Sequence, residues 1–484
     1  MRCATPSTPC LSCPQALLPE GLGVYNPRVL ERLFRLTAHG TTVRRELLGG
    51  ITTFATMAYI IVVNPAILSF AGIPVGPSTV ATILVAASGT LLMGLYANRP
   101  IAVAPYMGEN AFVAFGLAAL GATWPQMLGA VFVSGLLFLV ITLLGVRAWL
   151  AEAISPSLKH SFAVGIGLFL ALIGLYETGI VTSAAAGMNA AALTEPGGLL
   201  RAPEVPLKIG DLRDPRVLLA IFGFLLMATL LQRRVRGALL VGIGATAILG
   251  ALLGHGETPR GILALPFTGE LSLSPLFLKL DVAGVLRLTF LPALLTLFVM
   301  GFLDTLGTLV GVGAAGHMLD ERGSFPEIEK PMAVDALSCA FAGLVGTTTS
   351  GAYIESAAGI REGARTGLAA VTTAALFLAS LFFIPLVEPM QRLSYAYAPA
   401  LVAVGLLMLS SVRGIDFEDL TELVPAFATI VMMVFTYNIG NGLTAGLLLH
   451  PLVKLAAGRA REVKPGGVVL AALSATYYLF GLPH

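Results

Sequence analysis

Three carboxylates lie in stretches that are otherwise apolar enough to cross a membrane. Asp304 lies in the apolar run Phe298–Gly311, Glu109 follows Tyr106 in a segment broken by Pro105, and Glu355 follows Tyr353 in a second broken segment. A carboxyl group in the bilayer interior costs several kcal/mol, so its presence needs a functional reason. Such a group can be neutral at pH 7, donate a hydrogen bond and exchange a proton. The three acids therefore predict a site for an uncharged polar molecule and a proton.

Each acid also has a purely structural interpretation, and the sequence leaves these alternatives open. Asp304 could cap an interrupted helix or bond to Thr308 one turn on, and Glu355 could serve only as the partner of a helix N-terminus. Glu109 could pair with a basic residue or face water. A fourth acid, Asp335, is expected only to cap or pair, because it lies near the inside end of its span.

Motifs for other chemistry are missing from the sequence. It holds no H-E-x-x-H, G-x-x-x-x-G-K-[ST] or G-x-S-x-G pattern, and its six histidines are scattered. Cys10-x-x-Cys13 has the spacing of a metal or redox pair, but no second pair or histidine is near, and a disordered tail is expected there. We therefore expect no enzyme, no metal, no cofactor and no transport driven directly by nucleotide hydrolysis.

The composition requires a membrane to hold these carboxylates. Of 484 residues, 56% are apolar and only 12% are charged, whereas a soluble domain carries about 25% charged residues. So few charges cannot cover a water-facing surface, and lipid must cover much of the chain. The net charge of +2 gives no reason to expect a nucleic-acid partner.

Apolar runs of spanning length recur fourteen times, so an all-α polytopic membrane protein is predicted. The predicted spans are 46–70, 77–97, 101–119, 124–146, 160–181, 216–232, 237–255, 288–316, 331–345, 347–362, 366–387, 397–412, 419–436 and 438–455. A further apolar segment, 466–482, is expected to cross the membrane or lie along it. With the N-terminus inside, the inside segments hold 20 Lys and Arg residues and the outside segments hold 8, which favours a cytoplasmic N-terminus in the cell membrane.

Two of these spans, 101–119 and 347–362, are poor continuous helices. Each begins with extended-type residues, passes a Pro or Gly, and then starts a half-helix with a tyrosine just before a carboxylate. These two segments resemble each other in sequence, and a second echo, or sequence similarity between the halves, pairs Ala163–Leu170 with Ala403–Leu409. Two halves of seven spans therefore repeat. Because seven is odd, the second half must be inverted. Broken spans at matching places of inverted repeats are typical of the midplane binding site of a secondary transporter.

Several blocks of the sequence resemble the azaguanine-resistance-type purine permeases of the nucleobase/ascorbate (xanthine/uracil permease) transporter superfamily. The blocks are Gly49–Pro65, Ala104–Phe112, Gly165–Gly174, Leu303–Gly313, Tyr353–Gly359 and Arg365–Gly367. They occur in the family's order, and the resemblance extends from about Arg44 to about Lys464.

The resemblance implies a fold of seven-plus-seven inverted repeats, divided into a core domain that holds substrate and a gate domain. The implied divisions are a cytoplasmic tail (1–44), core spans 1–4 (45–150), gate spans 5–7 with outer loops (151–287), core spans 8–11 (288–395), gate spans 12–14 (396–458) and a C-terminal basic stretch with the extra apolar segment (459–484). It also suggests dimerisation through the gate.

The resemblance further implies proton-coupled purine import by an elevator-type movement, with a base bound between spans 3, 8 and 10. The alternatives are a xanthine/uracil permease or a sulfate- or bicarbonate-type anion carrier on the same fold. The implied substrate-binding residues are Asp304, Glu355, Asn110, Ala111, Phe112, Ile354, Tyr106 and Tyr353, and the implied proton-coupling residues are Asp304, Glu355 and Glu109. Two positions depart from the family pattern. Thr308 falls where uracil-type relatives have a histidine, and Glu109 falls where many purine permeases have an apolar residue.

Overall fold

The structure is a computed structural model that describes residues 27–145, 149, 153–186, 206–257, 259, 261–287, 290–316, 318–319 and 325–480. Residues 1–26 of the predicted N-terminal tail, with its cysteine pair, and residues 187–205 of the predicted outer loop 182–215 lie outside the described residues. The described chain is mainly helical, as predicted, and its four strands have three residues each.

The first half of the chain contains nine α-helices and three strands among its described residues. They are α1 (Pro27–Phe34), α2 (Val43–Met57), α3 (Ile60–Ser69), α4 (Val75–Leu95), β1 (Val103–Pro105), α5 (Met107–Ala111) with a π-helical continuation (Phe112–Leu117), α6 (Trp124–Leu143), α7 (Pro156–Glu177), β2 (Val181–Ser183), β3 (Leu207–Ile209), α8 (Pro215–Gln232) and α9 (Ala238–Leu252).

The second half, as far as it is described, repeats the order of long, broken and long segments. Its elements are α10 (Val282–Val285), α11 (Leu291–Ala315), α12 (Glu329–Val345), β4 (Ser350–Ala352), α13 (Ser356–Arg361), α14 (Gly367–Ser380), α15 (Ile384–Arg392), α16 (Ser394–Met408), α17 (Leu420–Phe435), α18 (Ile439–Ala456) and α19 (Pro465–Phe480). Short 3-10 turns lie at Gly269–Leu271, Leu381–Phe383, Leu409–Gly414 and Ala460–Glu462.

Every predicted span contains a helix, but only eight described segments are long and apolar enough to cross a membrane by themselves. These eight are Val43–Ser69, Val75–Leu95, Trp124–Leu143, Pro156–Glu177, Pro215–Gln232, Leu291–Ala314, Gly367–Arg392 and Ser394–Gly414. The chain is therefore a multi-pass membrane protein, while the count of fourteen crossings stays a prediction. So does the placement of α19 in or along the membrane.

The two predicted interruptions are where the halves of the chain meet. Strand β1 pairs antiparallel with β4, with Val103 opposite Ala352 and Pro105 opposite Ser350. Short extended segments inside a membrane protein are tolerated only where other protein satisfies their backbone groups. Each broken segment does this for the other, and each then leads into a short helix, α5 or α13.

The second predicted echo also becomes a contact between the halves. Helices α7 and α16 pack together through Gly167 and Gly405, and a Cβ added at Gly405 would collide with the carbonyl oxygen of Gly167. Only a residue without a side chain permits this approach of the two backbones. The two glycines come from the two similar segments but not from equivalent positions, because the similarity aligns Gly405 with Gly165, whose added Cβ would collide with Met433 of α17.

The first predicted span, 46–70, is kinked rather than continuous, since α2 ends at Met57 and α3 begins at Ile60. About two turns further on, Pro65 frees a second set of backbone contacts, because it has no N–H to donate to the carbonyl of Ile61. Gln391 donates its side-chain N–H to that freed carbonyl at 2.8 Å, and to Thr79 at 2.9 Å. An amide from the second half thus satisfies this carbonyl.

Replacing Gln391 by leucine is expected to lower the melting temperature of the detergent-solubilised protein. The substitution leaves the carbonyl of Ile61 buried without a donor, which costs about 1–3 kcal/mol. Differential scanning fluorimetry measures the change. The matched control is Gln232→Leu, because Gln232 is exposed at the end of α8. Equal melting temperatures for the two variants would refute this role.

Candidate functional site

The carboxylate of Glu355 lies directly before the first residue of α13. It is partly buried and makes no side-chain capping hydrogen bond with that helix, while its position as the N-cap residue agrees with the alternative of a partner for the helix N-terminus. The hydroxyl of Tyr59 donates to the Glu355 carboxylate at 2.9 Å. Tyr59 lies in the break between α2 and α3, so this break carries the donor that orients this acid.

Asp304 lies near the middle of the 25-residue helix α11, which is continuous as predicted. Its side chain is partly buried. It makes no hydrogen bond to Thr308 among the described residues, so that structural alternative is not realised. Its principal neighbour is the carboxyl of Glu109, with which it interacts electrostatically.

Glu109 lies in α5 and is completely buried. Neither of its oxygens makes a hydrogen bond of ordinary geometry within the described part of the chain. The alternatives of a basic partner or a water-facing position are therefore wrong for Glu109. Two carboxyl groups that face each other in a low-dielectric interior repel strongly when both are ionised.

Tyr353 connects the three acids. Its ring is buried and lies within electrostatic range of Glu355, Glu109 and Asp304, and it stacks on Tyr106 with ring centroids 6.4 Å apart and an interplanar angle of 9°. Its hydroxyl donates to the carbonyl of Pro105 in β1 at 2.5 Å. The structure thus brings together residues predicted from both broken segments and from α11.

Asp335 does pair, but in the protein interior rather than at a span end. It is fully buried in α12 and accepts hydrogen bonds from the Thr305 hydroxyl at 3.0 Å and from the backbone N–H of Ala352 at 2.8 Å. The hydroxyl of Tyr106 lies 2.9 Å from that of Thr305. This cluster fixes α11, α12 and both strands relative to one another.

A second network of buried polar side chains connects α5 to the neighbouring helices. Asn110 donates to the side-chain oxygen of Asn64 at 3.0 Å, and Asn64 donates to Thr82 at 2.8 Å and Thr347 at 2.9 Å. The side-chain oxygen of Asn110 is buried without a hydrogen-bond partner among the described residues. It is therefore free to accept a hydrogen bond from a bound molecule.

The remaining predicted site residues differ in their access to the outside. Ala111 and Phe112 are fully buried where α5 changes to the π-helix, a rare local structure that is frequent at functional sites. Ile354, in contrast, is 59% exposed and its side chain lies over Gly311 of α11. Asp304, Glu355 and Ile354 thus stay accessible, while α5 forms the closed side of the site.

Sequence reasoning did not single out Tyr59, Asn64, Thr305 or the role of Asp335. Tyr59 and Asn64 lie in one of the quoted sequence blocks, and an Asn-Pro pair inside a span is a signal that could have identified Asn64. Tyr59 carries no comparable signal, because only the kink turns its hydroxyl toward Glu355. Among the described residues, no three metal-ligating side chains converge.

The arrangement defines a class of protein. The two halves of the chain pair short strands at their interrupted spans, and a short helix follows each strand. Carboxyl groups lie at this junction, within a polytopic helical fold. This is the architecture of a secondary membrane transporter.

Comparison with known proteins identifies the family. The profile described as "Permease family", of xanthine/uracil permease type, matches residues 44–443, and the chain belongs to this family. It is 38% identical to the adenine permease AdeP of Escherichia coli over 446 residues, covering 92% of this chain and 95% of that protein. It is 37% identical to the guanine/hypoxanthine permease PbuO of Bacillus subtilis over 448 residues, covering 91% and 98% respectively. Membership in a family of permeases makes the chain a transporter and not an enzyme.

Solved structures share the fold. The transmembrane domain of the cyanobacterial bicarbonate transporter BicA superposes with a TM-score of 0.54 at 17% sequence identity, covering 83% of this chain and 97% of that domain. At this identity the likeness concerns the fold alone.

Proposed function

We propose that this permease imports purine nucleobases together with protons across the cell membrane, with its N-terminus in the cytoplasm. The observation that carries the proposal is that Glu355 and the Glu109–Asp304 pair each lie within electrostatic range of the buried Tyr353, at the junction of the two broken segments. An uncharged base with alternating donors and acceptors suits such acids, and the relatives at 37–38% identity include adenine and guanine/hypoxanthine permeases.

Glu355 is the residue proposed to bind the polar edge of the base. Its carboxylate is oriented by Tyr59 at 2.9 Å and keeps a second oxygen for substrate. Backbone groups of Ile354 and of the segment 110–112 contact the edge of the ring, and Ala111 lines the closed side of the site. The side chains of Phe112, Tyr106 and Tyr353 pack against the ring. Because both tyrosine hydroxyls are engaged within the protein, the tyrosines contribute their aromatic faces rather than hydrogen bonds.

Asp304 and Glu109 are proposed to share the transported proton. Desolvated carboxylates side by side are costly when both are charged, and one proton between them removes that cost. Binding of the proton would remove the repulsion between Asp304 and Glu109 and lower the charge of the site, so moving its carboxyls past the low-dielectric gate would cost less. Elevator-type movement of the core (45–150 and 288–395) against the gate (151–287 and 396–458) then exposes the site to the other side. Dimerisation through the gate would hold the gate still.

Glu109→Gln is expected to preserve base binding but to weaken the response of uptake to a proton gradient by at least about tenfold, the effect of removing about 1.4 kcal/mol of coupling. Glutamine resembles the protonated acid but releases no proton. Uptake into proteoliposomes with and without an inward proton gradient measures the effect, and base counterflow without a gradient serves as the internal control. Gradient stimulation equal to that of the unchanged protein would exclude Glu109 from the coupling.

The substrate class is tested by ligand-induced stabilisation of the purified protein. Hypoxanthine, adenine or guanine should raise the melting temperature, because a ligand that binds only the folded state stabilises it. Sulfate and bicarbonate at the same ionic strength should not. Stabilisation by an anion and by no purine would replace this proposal with an anion carrier on the same fold.

A further inference from the structure

A polar pocket of about 340 Å³ lies at the end of α11 that is predicted to face the cytoplasm. It is lined by His39, Arg99, Gly316, Met318 and Arg365, which come from four segments far apart in sequence. None of its lining residues belongs to the candidate substrate site. Basic side chains contributed by separate segments to one concave surface form a positive potential that attracts anions.

The charge of Arg99 is incompletely compensated. Its side chain is only 14% exposed, and its Nε is buried without a hydrogen-bond partner among the described residues. One terminal nitrogen donates to the backbone carbonyl of Pro326 at 2.9 Å, and the guanidinium lies over the Phe325 ring at 5.1 Å. Its nearest described carboxylate, Glu327, is 3.9 Å away, is 62% exposed and accepts a hydrogen bond from Lys330 at 3.0 Å. Burial lowers the pKa of Arg99 below its ordinary value.

The positive charge of Arg365 is compensated no better than that of Arg99. Its guanidinium donates only to the backbone carbonyls of Ile360 at 2.9 Å and Ala364 at 2.8 Å, and no described carboxylate pairs with it. The buried acid nearby, Glu46, instead accepts hydrogen bonds from backbone N–H groups at the start of α14, including that of Arg365. His39 is exposed at the rim of the pocket. Two guanidinium groups therefore line one cavity, and the only carboxylate within 4 Å of either in the described chain is the exposed Glu327 beside Arg99.

We infer that this pocket binds a phosphate group, either that of a soluble phosphorylated metabolite or that of an anionic lipid head group. Guanidinium groups match phosphate oxygens in geometry and charge. The cavity holds a phosphate with room for part of the molecule that carries it. Gly316 and Met318 follow α11, the helix that carries Asp304, and the backbone N–H of Met318 donates to the carbonyl of Gly313 in α11 at 2.8 Å, so an occupied pocket would hold that helix end. This regulatory consequence rests on the proposed transport function, whereas the binding itself does not.

The test is calorimetric titration of the detergent-solubilised full chain with inorganic phosphate, with sodium chloride added to keep the ionic strength constant. We expect saturable binding that His39→Glu weakens at least about tenfold, because like charges brought together cost several kcal/mol. Since His39 is exposed, its substitution leaves the fold intact, and His39→Gln serves as the neutral reference. Arg361→Gln is the matched control, because Arg361 is exposed on the same face but does not line the pocket. It should bind phosphate normally.

Vesicles separate the two sources of the phosphate. Saturable binding of inorganic phosphate supports a soluble ligand. Stabilisation by phosphatidylglycerol vesicles over phosphatidylcholine vesicles, lost in His39→Glu, supports a lipid head group. A phosphate effect no larger than that of chloride, together with no lipid preference that His39→Glu changes, would overturn the inference. Purine binding is measured on the same preparation, so a protein that binds phosphate but no purine would refute the transport proposal and retain this site.

Discussion

Proteoliposomes containing the Asp304→Asn variant are expected to show no gradient-driven accumulation of hypoxanthine. One coupled proton and an inward gradient of about two pH units support about 100-fold accumulation, because each pH unit is worth about 1.4 kcal/mol. Asparagine keeps the size of the side chain but cannot exchange a proton with Glu109. The accumulation ratio should therefore fall to about 1, while slow equilibration of the base persists.

The matched control for this prediction is Glu418→Gln, because Glu418 is exposed near the start of α17 and away from the site. It should accumulate the base like the unchanged protein. A monodisperse profile and an unchanged melting temperature would show that Asp304→Asn is folded. Accumulation by the folded variant that still follows the gradient would remove Asp304 from the mechanism.

Glu355→Gln is expected to lose most of the affinity for the base. A hydrogen bond to a charged group contributes about 1.5–3 kcal/mol, so the dissociation constant should rise about 10- to 150-fold. Isothermal titration of the purified protein in detergent measures this loss without any transport step. Undiminished affinity would rule out direct contact between Glu355 and the base.

Tyr59→Phe provides the graded companion to that experiment. It removes only the hydroxyl that donates to Glu355 at 2.9 Å and leaves the acid in place. Its affinity should fall between those of Glu355→Gln and the unchanged protein. A Tyr59→Phe loss larger than that of Glu355→Gln would indicate that Tyr59 acts on the base by another route.

The sequence predicted the features of the fold that follow from local composition. Interrupted segments were visible from Pro105 and Gly351, and the pairing of β1 with β4 agrees with the echo between them. The break at Ala58 was not predicted, and neither was Gln391 of the other half of the chain as the donor to the carbonyl of Ile61. Such contacts depend on tertiary packing that spacing along the chain does not encode.

The candidate site shows the same division. Carboxylates in apolar runs are conspicuous, so Asp304, Glu109 and Glu355 were predicted as site residues. Their roles stay predictions. The sequence did not show which side chains would form hydrogen bonds with the buried acids. Tyr59 and Thr305 are ordinary residues of apolar helices until the fold places their hydroxyls beside Glu355 and Asp335.

The central claim, proton-coupled purine import, is tested most directly by uptake of radiolabelled hypoxanthine into proteoliposomes with and without an inward proton gradient. Unlabelled adenine, guanine, xanthine, uracil and sulfate are the competitors. We predict uptake that the gradient stimulates and that purines block, with no effect of sulfate. Uptake by folded protein that ignores the gradient, or that sulfate blocks and purines do not, would contradict the account.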